Sequence, residues 1–293
     1  MQKSKTSQKV KNMTVKDVLA KAISVLIEKK VETPAKEAGV LLAYILKKDA
    51  SWLYAHPEFQ LSAAEIKKYD SIVSKRSKSM PFQYIVNNQE FMSLDFYVNP
   101  YCLIPRPETE ILVEAALAWI NESYCENIRV LDIGTGSGAI CVSIAHYAAK
   151  TIIDALDVSG QALQIAETNA KRHNVEGRIR FINADFLQWK NEEPYSVILS
   201  NPPYIPHNEI SMLMSEVKDY EPLTALDGGS DGLLFYRYLA SEVKRMMTLE
   251  GTIFVEVGIG QAECVVEMFT YQGLKTSVYK DFAGIDRVVQ AFF

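Results

Sequence analysis

The apolar positions of the first 80 residues recur at helical spacing. Thr14 and Ser62 each stand three residues before an acidic residue and ahead of an apolar stripe, which is the pattern of a capping box. Pro34 occupies a position where proline favours the first turn of another helix. We therefore predict a small helical bundle over residues 1–80, in which the polar residues 1–12 are frayed.

Beyond residue 80 the pattern changes to short β-type segments. Residues 83–86 and 94–98 are rich in β-branched and aromatic side chains, and the turn-prone Asn87 and Asn88 stand between them. We interpret residues 81–100 as a β-hairpin linker that joins two domains.

Residues 101–293 alternate between apolar runs typical of buried strands and amphipathic stretches typical of helices. Strands are predicted at 128–133, 151–157, 178–183, 196–200 and 252–257 and near the C-terminus, and helices at 139–149, 160–173, 232–247 and 261–272. This alternation is typical of an α/β domain with a doubly wound, mostly parallel, Rossmann-like sheet.

A glycine-rich turn follows the first predicted strand of this domain and leads directly into a helix. Glycine is needed there because the backbone turns tightly and approaches a ligand closely, where a Cβ would intrude. With Ala139 in the sixth place the segment also fits a relaxed dinucleotide fingerprint, so a nicotinamide or flavin oxidoreductase is one alternative. The candidate cofactor-binding residues of the turn are Gly134, Thr135, Gly136, Ser137 and Gly138.

Three acidic residues stand at or near the ends of the first three predicted strands. Asp132 directly precedes the first glycine, where a carboxylate would repel a pyrophosphate but favours an ammonium group. Asp157 ends the second strand, the position from which a carboxylate binds ribose hydroxyls. Asp185 follows the third strand and can accept from an adenine amino group, with Phe186 against the ring. The series favours S-adenosyl-L-methionine as the cofactor.

A stiff loop follows the fourth predicted strand, because two consecutive prolines end a strand and fix the backbone. The side-chain oxygen of Asn201 and the carbonyl of Pro202 can each accept one N–H of a planar amide or amino group. Pro203 stiffens the loop, and Tyr204 would stack on the acceptor and exclude water. The loop indicates methyl transfer to nitrogen, without a dedicated general base because the methylated nitrogen is itself acidic.

The distribution of charge narrows the choice of partner. The formal net charge is −5, yet residues 1–80 hold 16 Lys+Arg against 8 Asp+Glu, whereas residues 81–293 hold 15 against 28. The basic first part suits an acidic or nucleic-acid-rich partner, and the acidic second part disfavours stable direct binding of DNA.

The lengths of the apolar runs and the spacing of the cysteines exclude a membrane-spanning protein and a cysteine-bound metal site. No apolar run approaches the roughly 20 residues that cross a bilayer, and no cysteine has the spacing of a metal ligand. We therefore expect a cytoplasmic monomer without a membrane segment, with reduced cysteines and no metal.

Further motifs give the chain a resemblance to a known family. They are the segments 104–110 and 220–229, residues 231–233 with Tyr236 and Arg237, residues 256–258 with Gln261, and residues 284–289. Together with the loop at 201–204, they resemble the HemK/PrmC family over nearly the whole chain. Members of that family are protein-(glutamine-N5) methyltransferases, which modify the glutamine of the Gly-Gly-Gln motif in class 1 peptide chain release factors.

The resemblance implies roles that the pattern alone leaves open. The residues that would bind or border S-adenosyl-L-methionine are 134–138, Asp157, Phe186 and Asn201. Residues 201–204 would hold the substrate glutamine, and the helical N-terminal domain would dock the release factor. Residues 106–110, with Arg106 and Glu108 among them, would line the entrance near the cofactor and the acceptor. Phe186 departs from the family, where tryptophan often follows the aspartate, so the fit around the adenine is altered there.

The loop at 201–204 does not by itself distinguish glutamine from adenine, because adenine-N6 methyltransferases of DNA carry the same tetrapeptide. Enzymes that flip a base from a duplex usually need a basic groove, and the catalytic part of this chain is acidic. The segments 105–110 and 221–229 favour a protein glutamine. An adenine-N6 DNA or RNA methyltransferase is the alternative, followed by a nicotinamide or flavin oxidoreductase.

Overall fold

The computed structural model describes residues 13–190 and 193–293 of the chain. The chain divides into two compact units, the first ending at Val86 and the second running from Asn87 to Phe293. The division lies inside the segment 81–100 that the sequence assigns to a linker. The frayed state predicted for residues 1–12 falls outside the described residues.

The described part of the first unit consists of helices. They are α1 (Val15–Glu28), α2 (Pro34–Leu46), α3 (Ala50–Ala55), α4 (Ala63–Arg76) and α5 (Phe82–Val86). Both predicted capping boxes are present, since the side chain of Thr14 accepts from the N–H of Asp17 and that of Ser62 accepts from the N–H of Glu65. Each helix contributes apolar side chains to one shared core.

The strand predicted at residues 83–86 is wrong, because this segment forms helix α5. Two of its N–H groups donate to the carbonyl of Pro81. Proline favours the first turn of a helix, and four residues are too few to separate a helix from a strand by periodicity. A hairpin does exist further along the chain, as β1 (Gln89–Phe91) and β2 (Leu94–Phe96), and it belongs to the second unit.

The second unit is built on one large sheet. Its strands are β3 (Ile128–Ile133), β4 (Thr151–Asp157), β5 (Ile179–Asn183), β6 (Tyr195–Ser200), β7 (Met247–Glu256), β8 (Lys275–Lys280) and β9 (Asp286–Phe292). Their order is β5-β4-β3-β6-β7-β9-β8, in which β9 alone runs antiparallel to its neighbours β7 and β8 among the described strands. The mostly parallel Rossmann-like sheet predicted from the sequence is confirmed.

Helices stand between these strands along the chain. They are α6 (Thr109–Glu122), α7 (Ala139–Tyr147), α8 (Gly160–Arg172), α9 (Ser215–Lys218), α10 (Leu234–Met246) and α11 (Ala262–Tyr271). No sequence pattern predicts β8, because it lies at the edge of the sheet and exposes several of its side chains. Within the described ranges, no helix has both the length and the apolar character needed to cross a membrane.

The strand order places a crevice at the carboxyl ends of β3 and β6. Strands β4 and β5 follow β3 on one side, and β6 and β7 lie on its other side, so the direction of the order reverses at β3. Loops diverge at such a switch point and leave room for a ligand between them. The glycine-rich turn after β3 and the proline loop after β6 both begin there.

Candidate active site

A cavity of about 470 Å³ lies at this crevice. Its wall is formed by the turn after β3, the segments after β4, β5 and β6, and two further loops at residues 101–103 and 222–225. The predicted site residues that line it are Gly134, Gly136, Asp157, Asp185, Phe186, Asn201, Pro202 and Pro203. One cavity therefore combines predicted cofactor-binding residues with predicted acceptor-binding residues.

Other predicted site residues are not part of this wall. They are Asp132, Thr135, Ser137, Gly138, Tyr204, Arg106 and Glu108. Asp132, Thr135 and Ser137 are buried, so they act on the glycine-rich turn from inside the protein. Glu108 is the N-cap residue of α6 and makes no side-chain capping hydrogen bond.

The glycines of the turn after β3 have two different functions. Gly134 and Gly136 have φ angles of 74° and 55°, and a Cβ at either position would meet no protein atom closer than 3.9 Å. Because both line the cavity, the missing side chains leave space that a ligand can fill. A Cβ at Gly138 would instead lie 3.0 Å from the Cα of Ala166, so this glycine allows α7 and α8 to pack closely.

Asp132 is fully buried beneath this turn. Its Oδ2 accepts the hydroxyl of Thr135 at 2.6 Å and the N–H of Cys141 at 3.2 Å. Its Oδ1 is buried without a hydrogen-bond partner in the described protein. Burial raises the pKa of Asp132 to about 6, against the opposing effect of the Thr135 hydrogen bond. The orphaned oxygen is suited to a cationic or water-bridged partner at the cofactor site.

Asp157 holds the glycine-rich turn against the end of β4. Its carboxylate accepts the N–H of Gly136 at 2.9 Å and the N–H of Ser159 at 2.8 Å. Burial raises its pKa, and the two hydrogen bonds partly oppose that rise. A carboxylate has about four lone-pair sites, so Asp157 keeps acceptor capacity for a ligand hydroxyl at the cavity.

Asp185 and Phe186 form the cavity wall after β5. The carboxylate of Asp185 accepts the N–H of Leu187 at 3.0 Å and the Nε2 of Gln188 at 2.9 Å, so it orders its own loop. Phe186 is buried and meets Tyr238 edge-on, with ring centroids 5.1 Å apart. It presents an apolar surface to the cavity while it packs against the protein core.

The proline loop after β6 supplies two oxygen acceptors. The Nδ2 of Asn201 donates to the hydroxyl of Thr109 at 3.1 Å, which leaves the other end of the amide for a ligand. Among the described residues, no group is seen to donate to Asn201 Oδ1 or to the carbonyl of Pro202. Both residues line the cavity, so its wall includes two residues with a neutral oxygen acceptor.

Tyr204 packs against the core of the second unit and not along the cavity wall. Burial, and then the charge of Glu256, raise its pKa to about 12, so the hydroxyl keeps its proton. Its carbonyl accepts the Nε2 of Gln261 at 2.9 Å. The stacking of Tyr204 on the acceptor therefore stays a prediction.

A second glycine segment backs the proline loop. A Cβ at Gly228 would lie 2.8 Å from the carbonyl oxygen of Pro203, and a Cβ at Gly232 would overlap the carbonyl oxygen of Tyr204. Gln261 donates to the same Tyr204 carbonyl. Sequence reasoning names these positions as family markers and assigns them no function. The structure shows that they hold the backbone of the loop in place.

Two buried residues behind Asn201 have no individual role predicted from the sequence, although Thr109 lies in the segment 106–110 expected at the entrance and Glu256 in a family motif. Thr109 begins α6, and its hydroxyl donates to Glu256 at the end of β7 at 2.6 Å. Burial raises the pKa of Glu256 to about 7, while the Thr109 hydrogen bond lowers it. No motif in the sequence links these two residues, since 147 positions separate them.

Arg106 forms an ion pair with the carboxylate of Glu221. Its Nη2 lies 2.7 Å from each carboxylate oxygen of Glu221, which is buried. Arg106 follows the cavity-lining residues 101–103, and Glu221 precedes the cavity-lining residues 222–225. The ion pair therefore ties together two loops of the cavity wall.

Arg106→Met is expected to reduce the free energy of unfolding by about 2 kcal/mol at pH 8, because it leaves the Glu221 carboxylate buried and unpaired. Burial already raises the pKa of Glu221, and Arg106 opposes that rise. In the variant the folded state takes up the proton more readily, so the stability loss should shrink at pH 5.5. Urea unfolding at both pH values measures this. Glu221→Gln is the control, and an equal loss at both pH values would contradict the assignment.

No group of three or more His, Cys, Asp or Glu side chains suited to a metal ion is found within residues 13–190 and 193–293. Cys102 and Cys141 are buried, and burial raises the pKa of each thiol. Both thiols are therefore poor nucleophiles at neutral pH.

Comparison with solved structures supports the fold. The hMettl16 catalytic domain, solved in complex with the MAT2A 3'UTR hairpin 6, superposes with a TM-score of 0.53. The match covers 79% of this chain and 82% of that chain at 15% sequence identity. At this identity the likeness concerns the fold alone.

Sequence comparison is more specific. The PrmC N-terminal domain family matches residues 17–86, and the methyltransferase small domain family matches residues 109–217. The release factor glutamine methyltransferase of Clostridium acetobutylicum is 42% identical, over 95% of this chain and 98% of its own length. That of Geobacter sulfurreducens is 38% identical, over 97% of this chain and 98% of its own length. The chain therefore belongs to the release factor glutamine methyltransferase family.

Proposed function

We propose that this protein transfers the methyl group of S-adenosyl-L-methionine to the side-chain nitrogen N5 of the glutamine in the Gly-Gly-Gln motif of class 1 peptide chain release factors. The observation that carries the proposal is the pair of neutral acceptors, Asn201 Oδ1 and the Pro202 carbonyl, in the wall of the cavity. Relatives named release factor glutamine methyltransferases support glutamine over adenine as the acceptor.

Two neutral acceptors suit an amide nitrogen for a physical reason. The lone pair of an amide is delocalised, so the nitrogen reacts only if it is held in a productive orientation. An N–H bound by Asn201 and a second N–H bound by Pro202 would fix the plane of the amide. Neither acceptor titrates near neutral pH. Once methylated, the nitrogen is acidic and loses its proton to solvent, so the cavity needs no general base.

The residues around the turn after β3 fit S-adenosyl-L-methionine. When bound, this cofactor supplies a methyl group on a positively charged sulfur. Gly134 and Gly136 leave space for it, and the orphaned Oδ1 of Asp132 suits its ammonium group or a bridging water. Asp157 has acceptor capacity for the ribose, and Phe186 offers an apolar face for the adenine.

We further propose that the helical first unit docks the release factor, and that the protein works as a cytoplasmic monomer without stable binding to DNA. The basic residues 1–80 support the docking of a partner, and the acidic residues 81–293 support the absence of stable DNA binding. Sedimentation of the free protein, and of its mixture with duplex DNA at 150 mM salt, measures the oligomeric state and the DNA affinity.

The proposed function is tested with methyl-labelled cofactor and three acceptors. These are a class 1 release factor, the same factor with its motif glutamine changed to alanine, and adenine-rich DNA. We expect label in the unchanged factor alone, with mass spectrometry placing it on the glutamine side chain. Label in DNA would favour the adenine-N6 alternative, and label in the changed factor would place the acceptor elsewhere.

Asp157→Ala is expected to weaken the binding of S-adenosylhomocysteine roughly 100-fold, because two hydrogen bonds that the ribose hydroxyls donate to a charged carboxylate are lost. The variant also frees the N–H of Gly136, which loosens the turn. Calorimetric titration measures the dissociation constant. Asp95→Ala, on hairpin strand β2, is the matched control and should bind normally. Unchanged affinity in Asp157→Ala would remove Asp157 from the cofactor site.

A further inference from the structure

We propose that Thr109 and Glu256 are positioning residues that set which end of the Asn201 amide faces the acceptor. The proposal deepens the proposed function and rests on it for the identity of the acceptor. Thr109, Glu256 and Asn201 come from the start of α6, the end of β7 and the loop after β6. The fold brings them together in one chain of hydrogen bonds at 2.6 Å and 3.1 Å.

The direction of this chain follows from the number of protons available. A threonine hydroxyl has one proton to donate, and a carboxylate can only accept. Since Thr109 donates its proton to Glu256, its oxygen offers only lone pairs to Asn201. Asn201 must therefore turn its Nδ2 towards Thr109, as the structure shows.

The consequence lies at the opposite end of the amide. With Nδ2 bound to Thr109, Asn201 offers Oδ1 to a ligand, and Oδ1 can accept an N–H of the substrate amide. The flipped amide would turn an N–H of Asn201 towards an N–H of the substrate, and no hydrogen bond would form between these two residues. Glu256 thus selects the productive orientation through Thr109, without touching the acceptor itself.

The charge state of Glu256 controls this direction. A protonated Glu256 can donate to Thr109, which frees the threonine proton to point at Asn201 and favours the flipped amide. Burial raises the pKa of Glu256 to about 7, so the selecting carboxylate form is gained as pH rises through neutrality. The charged groups that act on Glu256 are Glu108, Arg287 and Arg106. Tyr204 and Tyr236 also face it, since the Glu256 charge raises the pKa of both hydroxyls, and Tyr236 donates its hydroxyl to the Glu256 carbonyl.

Activity measurements separate positioning from a structural effect. In Thr109→Val we expect kcat for the release factor to fall roughly 10- to 100-fold while the dissociation constant of S-adenosylhomocysteine stays unchanged, because only the orientation of the acceptor is disturbed. Thr109→Ser keeps the hydroxyl and should restore most of kcat. The matched control is Thr252→Val on β7, which removes another buried hydroxyl that both donates and accepts, and its kcat should equal that of the wild type.

A spectroscopic measurement tests the network without any acceptor. In ¹⁵N-labelled protein, the side-chain amide signals of Asn201 should shift with pH around a midpoint near 7, the pKa of Glu256. In Glu256→Gln and in Thr109→Val this titration should disappear. A wild-type kcat in Thr109→Val, or an Asn201 signal that titrates unchanged in Glu256→Gln, would overturn the proposal. If the wild-type enzyme fails to methylate the release factor, the proposed function falls, and the amide signals still decide the network.

Discussion

Asn201→Ala is expected to reduce methyl transfer to the release factor roughly 1,000-fold, because the substrate amide loses one of the two protein oxygens that orient it. The Pro202 carbonyl alone would leave the substrate amide free to rotate. Cofactor binding should remain measurable, because the hydrogen bonds that order the turn after β3 do not involve Asn201. Initial rates at saturating cofactor and calorimetry with S-adenosylhomocysteine measure the two effects.

The control for this variant is Asn121→Ala, an exposed asparagine near the C-terminal end of α6 that is not part of the cavity. It should turn over at the wild-type rate. Full activity in Asn201→Ala would rule out the two-acceptor mechanism. A complete loss of cofactor binding would instead place Asn201 chiefly in the cofactor site.

The fold of the second unit is largely predictable because its strands are buried. Strands β3, β4 and β6 are mainly apolar, and their predicted bounds agree with the observed bounds to within one residue. Strand β8 has no such run, because an edge strand is half exposed and its position depends on pairing with the distant β9. The helical conformation of the segment 83–86 is not predictable either, because a single turn of helix and a short strand have equivalent apolar patterns.

Residues of the candidate site can be predicted from the sequence where they belong to one local motif. Gly134, Gly136 and residues 201–203 of the proline loop line the cavity, because each segment follows directly from the end of a parallel strand. The partners of the site residues are not predictable in this way. Thr109 and Glu256 meet only through the tertiary fold, and Arg106 is paired with Glu221 across 115 positions. A single sequence contains no signal for such pairings.

The proline loop is held mainly by backbone contacts, so the residues that pack against it must be small. Gly228 and Gly232 pack so closely that a Cβ at either position would collide with the main chain of the loop. The loop cannot yield easily, because the two prolines restrict its dihedral angles. We therefore expect these two glycines to help to orient the acceptor.

Gly232→Ala is accordingly expected to lower kcat roughly 100-fold, because a displacement of about 1 Å in the acceptor loop disrupts the reacting geometry. The added Cβ would overlap the Tyr204 carbonyl oxygen and lie 2.6 Å from Gln261 Nε2, so the loop must move. Gly284→Ala is the matched control: its φ of 80° is close to the 76° of Gly232, but no atom lies within 4 Å of the new Cβ. Both variants should lose stability through the strained backbone, and Gly232→Ala should melt lower still because of its close contacts, yet only Gly232→Ala should lose activity in the folded protein. Equal kcat in the two variants would show that the close contact with Tyr204 has no part in positioning the acceptor.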